Sequence, residues 1–232
     1  MIAHGSAFPV AKLALNNSVP PILMASMRMF LVFIILIPFW RFRIPSKKFF
    51  KPLLIFSVSM GVLVYVFMNL SLYHSSIISP IILGSQLAIP FGILASAFII
   101  KENISKNKWL LILASFIGIL IIFFDPKLNE NYLGLFYASL MALFFGLAQV
   151  YSRQLKELPT SMINASTGIF GFVILFVIST LIEGNIYNNI KQINLSSWVL
   201  ISYQAVIVSL CAHLLMFYLY KFYTVGQIFP FY

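Results

Sequence analysis

Apolar residues come in long runs along this chain, separated by short clusters of polar and charged ones. The runs predict helices near Met1 to Leu15, Pro21 to Trp40, Leu53 to Tyr73, Ser79 to Ile100, Trp109 to Phe124, Tyr132 to Tyr151, Ser161 to Ile182 and Trp198 to Tyr220. A helix needs roughly 17 to 25 apolar residues to cross ~30 Å of hydrocarbon. Runs of that kind recur over the whole sequence rather than once at its start, so a cleaved leader does not explain them. Trp40, Trp109 and Trp198 all fall at predicted span ends, where an indole can lie half in the headgroup region. The pattern predicts an all-α, polytopic membrane protein.

Composition agrees with that solvent. Of 232 residues, 61% are hydrophobic and 9% charged, too little polar surface to cover a water-soluble globule. Fifteen Lys+Arg against five Asp+Glu give a formal charge of +10. In a soluble protein that excess would suggest a nucleic acid; here the charges sit between the spans, so the expected partner is the lipid bilayer and no nucleic acid. The single cysteine, Cys211, lies inside an apolar run and excludes an intrachain disulfide or a cysteine-cluster metal site.

The charges orient the chain. Arg41, Arg43, Lys47, Lys48 and Lys51 join the second and third spans, whereas Asn16 to Pro20, before the second span, is uncharged. Continuing the alternation puts Lys101, Lys106, Lys108, Arg153, Lys156 and Lys221 on the same side as that cluster, and Lys127 and Lys191 opposite. The basic side is the cytoplasmic one, so the N-terminus is cytoplasmic, in an inner (plasma) membrane. Lys12 and Arg28 fall within spans.

A repeat is legible as well. Gly5, Ala7 and Lys12 align with Gly146, Ala148 and Arg153 at an offset of 141, and Ser57, Gly61, Tyr65 and Met68 meet Ala205, Ser209, His213 and Met216 at an offset of 148. The longer connection from Glu183 to Ser197 absorbs the difference. Chance likeness between apolar helices is the alternative. Read as a repeat, the sixth span restarts the first, dividing the chain into units of residues 1–125 and 126–232. Five spans per unit put the two units in opposite orientations, an arrangement that recurs in transporters with the substrate site at the interface of the halves. Symmetry then expects ten spans over roughly 290 residues. On that count the first helix is shortened, Thr224 to Tyr232 reads as the start of a ninth, and the chain reads as truncated.

These residues resemble the EamA family of the drug/metabolite transporter superfamily. Gly5 to Lys12 is similar to the family's Trp-Gly opening and trailing lysine, with His4 in place of the tryptophan. Pro21 to Arg28 resembles the start of its second helix. Gln86 and Pro90 sit where the fourth helix commonly carries a polar or proline residue, and Lys101-Glu102 resembles the usual Gly-Glu that follows, with lysine replacing glycine. Lys221 to Val225 with Phe229-Pro230-Phe231 looks like the branch that exports amino-acid metabolites. The resemblance implies a carrier of ten helices working by alternating access with no organic cofactor.

Candidate site residues follow from polar groups inside spans. Arg28 lies ~10 Å from the uncharged end of its helix at 1.5 Å per residue. A guanidinium there is costly, about 2.5 to 3.5 kcal/mol at a helix centre, so it faces a substrate cavity or snorkels to headgroups. Lys12, nearer its helix end, is expected to snorkel. Ser57, Gly61, Tyr65 and Asn69 form one stripe on the third helix, and Ala205, Ser209 and His213 its counterpart on the eighth. Tyr65 and Asn69 are read as cavity lining; His213 either lines the cavity, where it could carry a proton, or makes an interhelical hydrogen bond; Ser57 and Ser209 are read as interhelical hydrogen bonds. Gln86 and Gln149 join the substrate-binding candidates. Gly84, Ala88, Gly92 and Ser96 on the fourth helix, and Ala114 and Gly118 on the fifth, are small-residue stripes assigned to scaffold packing or homodimer contact.

The function expected is transport of a small-molecule substrate, an amino acid or derivative, with Arg28 meeting its anionic group. No carboxylate falls inside a predicted span, so no acid–base dyad or metal cluster assembles there and an intramembrane enzyme is disfavoured. A nonfunctional remnant of a transporter is the other alternative.

Overall fold

The computed structural model describes residues 5–39, 45–124 and 131–212, with Leu215, Tyr218, Leu219 and Phe222. Among these residues it is all-helical: α1 Ala7–Asn16, α2 Pro21–Leu36, α3 Lys47–Tyr73, α4 Ser79–Ile99, α5 Lys106–Phe123, α6 Tyr132–Gln154, α7 Thr160–Ile182, α8 Ile186–Gln192 and α9 Leu195–Cys211. Helices α3 to α7 are each long and apolar enough to cross a membrane, and α8 with α9 forms a sixth apolar segment bent by 98°. Trp40, Arg41, Arg43, Lys127, His213, Met216, Lys221 and the predicted ninth-helix start lie outside the described residues.

As far as the described residues reach, the predicted spans are helical, with three differences. The first is ten residues long as described and the second sixteen, extended by one 3-10 turn at Ile37–Phe39. The connection before the last span contains α8, an amphipathic turn missed because seven residues are too few to show a period; Asn185 caps it, accepting from the Asn188 N–H. The third difference concerns regularity. Helix α3 passes through a π-helical segment at Ser59–Val64, and α9 through another at Gln204–Ala212. Helix α4 breaks at Gln86 and Leu87, because Pro90 lacks the N–H that would bond the Gln86 carbonyl, which accepts from Ile89 instead at 3.1 Å.

Lipid tails give helices no hydrophobic reason to associate, so close approach through small residues does the packing. Helix α2 lies along α7, where Gly168 leaves room for the Phe33 backbone. At the α3–α7 crossing Gly61 and Gly171 face each other: a Cβ on Gly171 would sit 2.7 Å from the Gly61 carbonyl. The stripe on α4 packs on α6, Gly84 against Leu135 and Ala138, and Gly92 against Gly146. The stripe on α5 makes no such contact among the described residues. Ala114 and Gly118 are exposed, nothing lies within 4 Å of a Cβ built on Gly118, and Ile112 is the helix's one buried residue. The helix sits at the edge of the bundle against α4, so small residues there have no neighbour to approach among the described residues.

The two ends of the bundle are held differently. At one end, Glu183, following α7, accepts from the backbone N–H groups of Ile22 and Leu23 at 2.7 and 2.8 Å and from the Ser179 hydroxyl at 2.7 Å. A carboxylate on a helix N-terminus satisfies orphan donors and complements the helix dipole. Lys12, expected to snorkel, instead donates to the carbonyls of Leu72 and Ser75 at 2.7 and 2.6 Å, at the C-terminus of α3, where a cation is favoured. Asn131 accepts from Ser75 and Ser76, tying α6 to the same corner. The lysine-rich end carries two exposed ion pairs, Arg153–Glu102 at 3.1 Å and Lys48–Glu157 at 3.6 Å. There the Ser96 hydroxyl and the Arg153 guanidinium hold the Glu102 carboxyl below its usual range.

Candidate functional site

Arg28 leaves α2 toward the interior and is 2% exposed, which removes the snorkelling reading. Its Nε donates to Ser209 Oγ at 2.8 Å, Nη1 to Gln204 Oε1 at 2.8 Å and Nη2 to the Tyr65 hydroxyl at 3.5 Å. The guanidinium carbon also lies 4.2 Å from the centroid of the Tyr65 ring, within cation–π range. Two helices of irregular geometry supply these partners. Tyr65 follows directly on the π segment of α3, and Gln204 and Ser209 both lie in that of α9. A π-helix bonds i to i+5, so residues five apart come onto one face, and Gln204 and Ser209 meet the same guanidinium.

Beside this cluster lies a cavity of about 280 Å³ between α1, α2, α3, α4, α6 and α9. Arg28, Tyr65, Gln86 and Ser85 form its polar wall, and Phe8, Met60, Met68, Ile89, Met141 and Phe145 are among its apolar surfaces. Of the described residues that line it, Arg28 is the charged one. Three of those side chains are methionines, which adapt to ligands of irregular shape. A second hollow of about 430 Å³ lies at the Glu183 end, lined by Tyr73, His74 and Glu183. Its carboxylate is bonded to the α2 terminus, which makes it part of the helix-end architecture.

The candidates from the sequence separate into groups. Arg28, Tyr65 and Gln86 come together on the central cavity, Gln86 exposed to it by the α4 break. Asn69 does not line it; its Nδ2 donates to the Pro21 carbonyl at 2.8 Å, joining α3 to the start of α2. Gln149 is buried on α6 one turn past Phe145 and does not line it either. His213 lies outside the described residues. Ser57 and Ser209 both make interhelical bonds, Ser57 with Thr167 at 3.4 Å and Ser209 with Arg28. Gln204 was missed. A buried amide inside an apolar run is the same signal that singled out Gln86 and Gln149, but Gln204 lies off the four-residue stripe through Ala205 and Ser209. Only the π segment brings it into line.

No group of three or more His, Cys, Asp or Glu able to hold a metal ion occurs among the described residues. The arrangement instead offers a buried cation on the wall of an apolar, ligand-sized cavity, suited to binding an anionic group. No curated protein matches the sequence. The EamA-like transporter family matches residues 1–124, just over half of the 232. With five helices fit to cross a bilayer, this multi-pass membrane protein therefore belongs to the EamA-like transporter family.

Proposed function

We propose that the protein carries a small anionic or zwitterionic metabolite, an amino acid or a derivative of one, across the inner (plasma) membrane by alternating access, and catalyses no reaction. The observation that carries this reading is Arg28, charged and buried on the wall of a mostly apolar cavity at the centre of the bundle. Charge-assisted hydrogen bonds to a carboxylate are about twice as strong as neutral ones, and a mostly apolar lining strengthens them further. The basic end is cytoplasmic in this proposal, and the Glu183 end faces outward.

Two five-helix units in opposite orientation, residues 1–125 and 126–232, fit the same reading. The offset of 148 carries Ser59–Val64 onto residues 207–212, inside the second π segment at Gln204–Ala212. Irregular turns at matched places in two helices are what a duplicated functional element leaves behind. The cavity draws its walls from both units, α1 to α4 from one and α6 with α9 from the other.

Flux of labelled amino-acid derivatives into vesicles containing the purified chain tests the proposal. Uptake is expected to saturate, and Arg28→Gln to lower it by ~10- to 100-fold, the loss of a charge-assisted hydrogen bond worth about 1.5 to 3 kcal/mol. Flux equal to that of empty vesicles across the panel removes the transport reading. Equal flux through the wild type and Arg28→Gln removes Arg28 from it.

A further inference from the structure

Resting on that reading, the geometry points to a narrower substrate class and to the residue that enforces it: Gln204 positions Arg28 for the carboxylate of an amphipathic acid whose nitrogen, where it has one, is uncharged.

Gln204 is 1% exposed and holds Nη1, while Ser209 holds Nε, so the plane of the guanidinium is fixed from α9. Gln204, Ser209 and Tyr65, which bond to it, are neutral. Neutral acceptors orient a cation without cancelling its charge, whereas a carboxylate in the place of the Gln204 amide would form an ion pair within the wall. Gln204 Nε2 finds no hydrogen-bond partner among the described residues. A buried amide kept with half its hydrogen bonding unmet is destabilising, by the desolvation of one donor, and is tolerated most readily where the carbonyl half has a task.

The remaining walls choose the rest of the ligand. None of the described residues lining the cavity is acidic, so an α-ammonium group meets neutral oxygens there, those of Tyr65, Ser85 and Gln86, and no ionic partner among them. Stripping water from an ammonium without an ionic partner is unfavourable. An acylated nitrogen carries no such penalty. The apolar surfaces of Phe8, Met60, Met68, Met141 and Phe145 reward a hydrocarbon body and disfavour a compact inorganic anion. An acid with a hydrophobic side chain and a neutral nitrogen satisfies all three constraints.

The test uses the full chain in proteoliposomes. N-acetyl-leucine, leucine, leucinamide and inorganic sulfate compete against labelled N-acetyl-leucine. N-acetyl-leucine is expected to inhibit with at least tenfold lower half-maximal concentration than leucine, while leucinamide and sulfate do not inhibit. Leucine binding as well as or better than N-acetyl-leucine overturns the substrate class and leaves the transport reading standing. Absence of saturable uptake of leucine and of N-acetyl-leucine alike overturns the transport reading and this inference with it. Gln204→Glu, isosteric with the native side chain, is expected to raise half-saturation for N-acetyl-leucine at least tenfold with maximal flux within about twofold and an unchanged melting temperature. Gln204→Met keeps the length without the acceptor and is expected to raise half-saturation severalfold. Wild-type half-saturation in either folded variant overturns the positioning role.

Discussion

Lys101 shows how a single residue can be at odds with its own backbone. It sits at φ +58, in the left-handed region that side chains other than glycine disfavour, at the position where the family resemblance expects glycine. A left-handed conformation costs an L-residue about 1 to 2 kcal/mol, partly offset by the extra freedom glycine has when unfolded. Lys101→Gly is therefore expected to stabilise the protein by about 1 kcal/mol, read as a rise in melting temperature in detergent. An unchanged or lower value means the lysine side chain supports this turn. Glu183 is the opposite case, a residue whose environment suits it. Glu183→Gln keeps the size but removes the charge at the α2 N-terminus and is expected to cost about 1 kcal/mol. Neither effect could be read from the sequence. Glu183 caps a helix 161 positions earlier in the chain, and Lys12 reaches carbonyls 60 and 63 positions on. Sequence spacing shows which side chains are unusual inside a span. Which distant group they meet is a tertiary matter, and for that reason Arg28 could be singled out but not aimed.

Among elements, regularity was legible and departures from it only in part. The span limits came from hydropathy because the bilayer imposes one length on every crossing. The break in α4 has a sequence signal in Pro90; the π segments have none, being irregularities of one residue that packing stabilises. Their consequence is that a four-residue stripe correctly grouped Ser209 with its neighbours and left out Gln204. Glycines make the helix contacts testable. A Cβ on Gly146 would lie 2.6 Å from the Gly92 backbone nitrogen, so Gly146→Val forces α4 and α6 apart. Overpacking of this kind costs about 1 to 3 kcal/mol, and a backbone neighbour places it at the upper end. Gly118→Leu, with open space around it, is expected to change stability by less than about 0.5 kcal/mol. Melting temperatures of the two variants check the contrast, and a Gly118→Leu chain as unstable as Gly146→Val contradicts the edge position of α5.

For the whole molecule, membrane residence and the helical class were plain from composition, since no soluble fold could hide so much apolar surface. The site was less so, because it is assembled from both ends of the sequence and depends on which way each helix faces. Arg28 and Tyr65 on one side and Gln204 and Ser209 on the other join the two units that the repeat proposes, so motion of one unit against the other must change the grip on the guanidinium. The distinctive polar ends fit such a motion. One is closed by bonds among α1, α2, α3, α6 and α7, the other by exposed ion pairs of the kind worth about 1 kcal/mol or less.

The most direct measurement places a cysteine at Ile89 on the cavity wall, with Cys211 replaced by serine, and follows its alkylation by an impermeant reagent applied from each face of the membrane. A central cavity that alternates its opening predicts labelling from both faces, slowed by N-acetyl-leucine when Arg28 is present and not when it is glutamine. Labelling from one face alone, at a rate no carboxylate alters, contradicts the account.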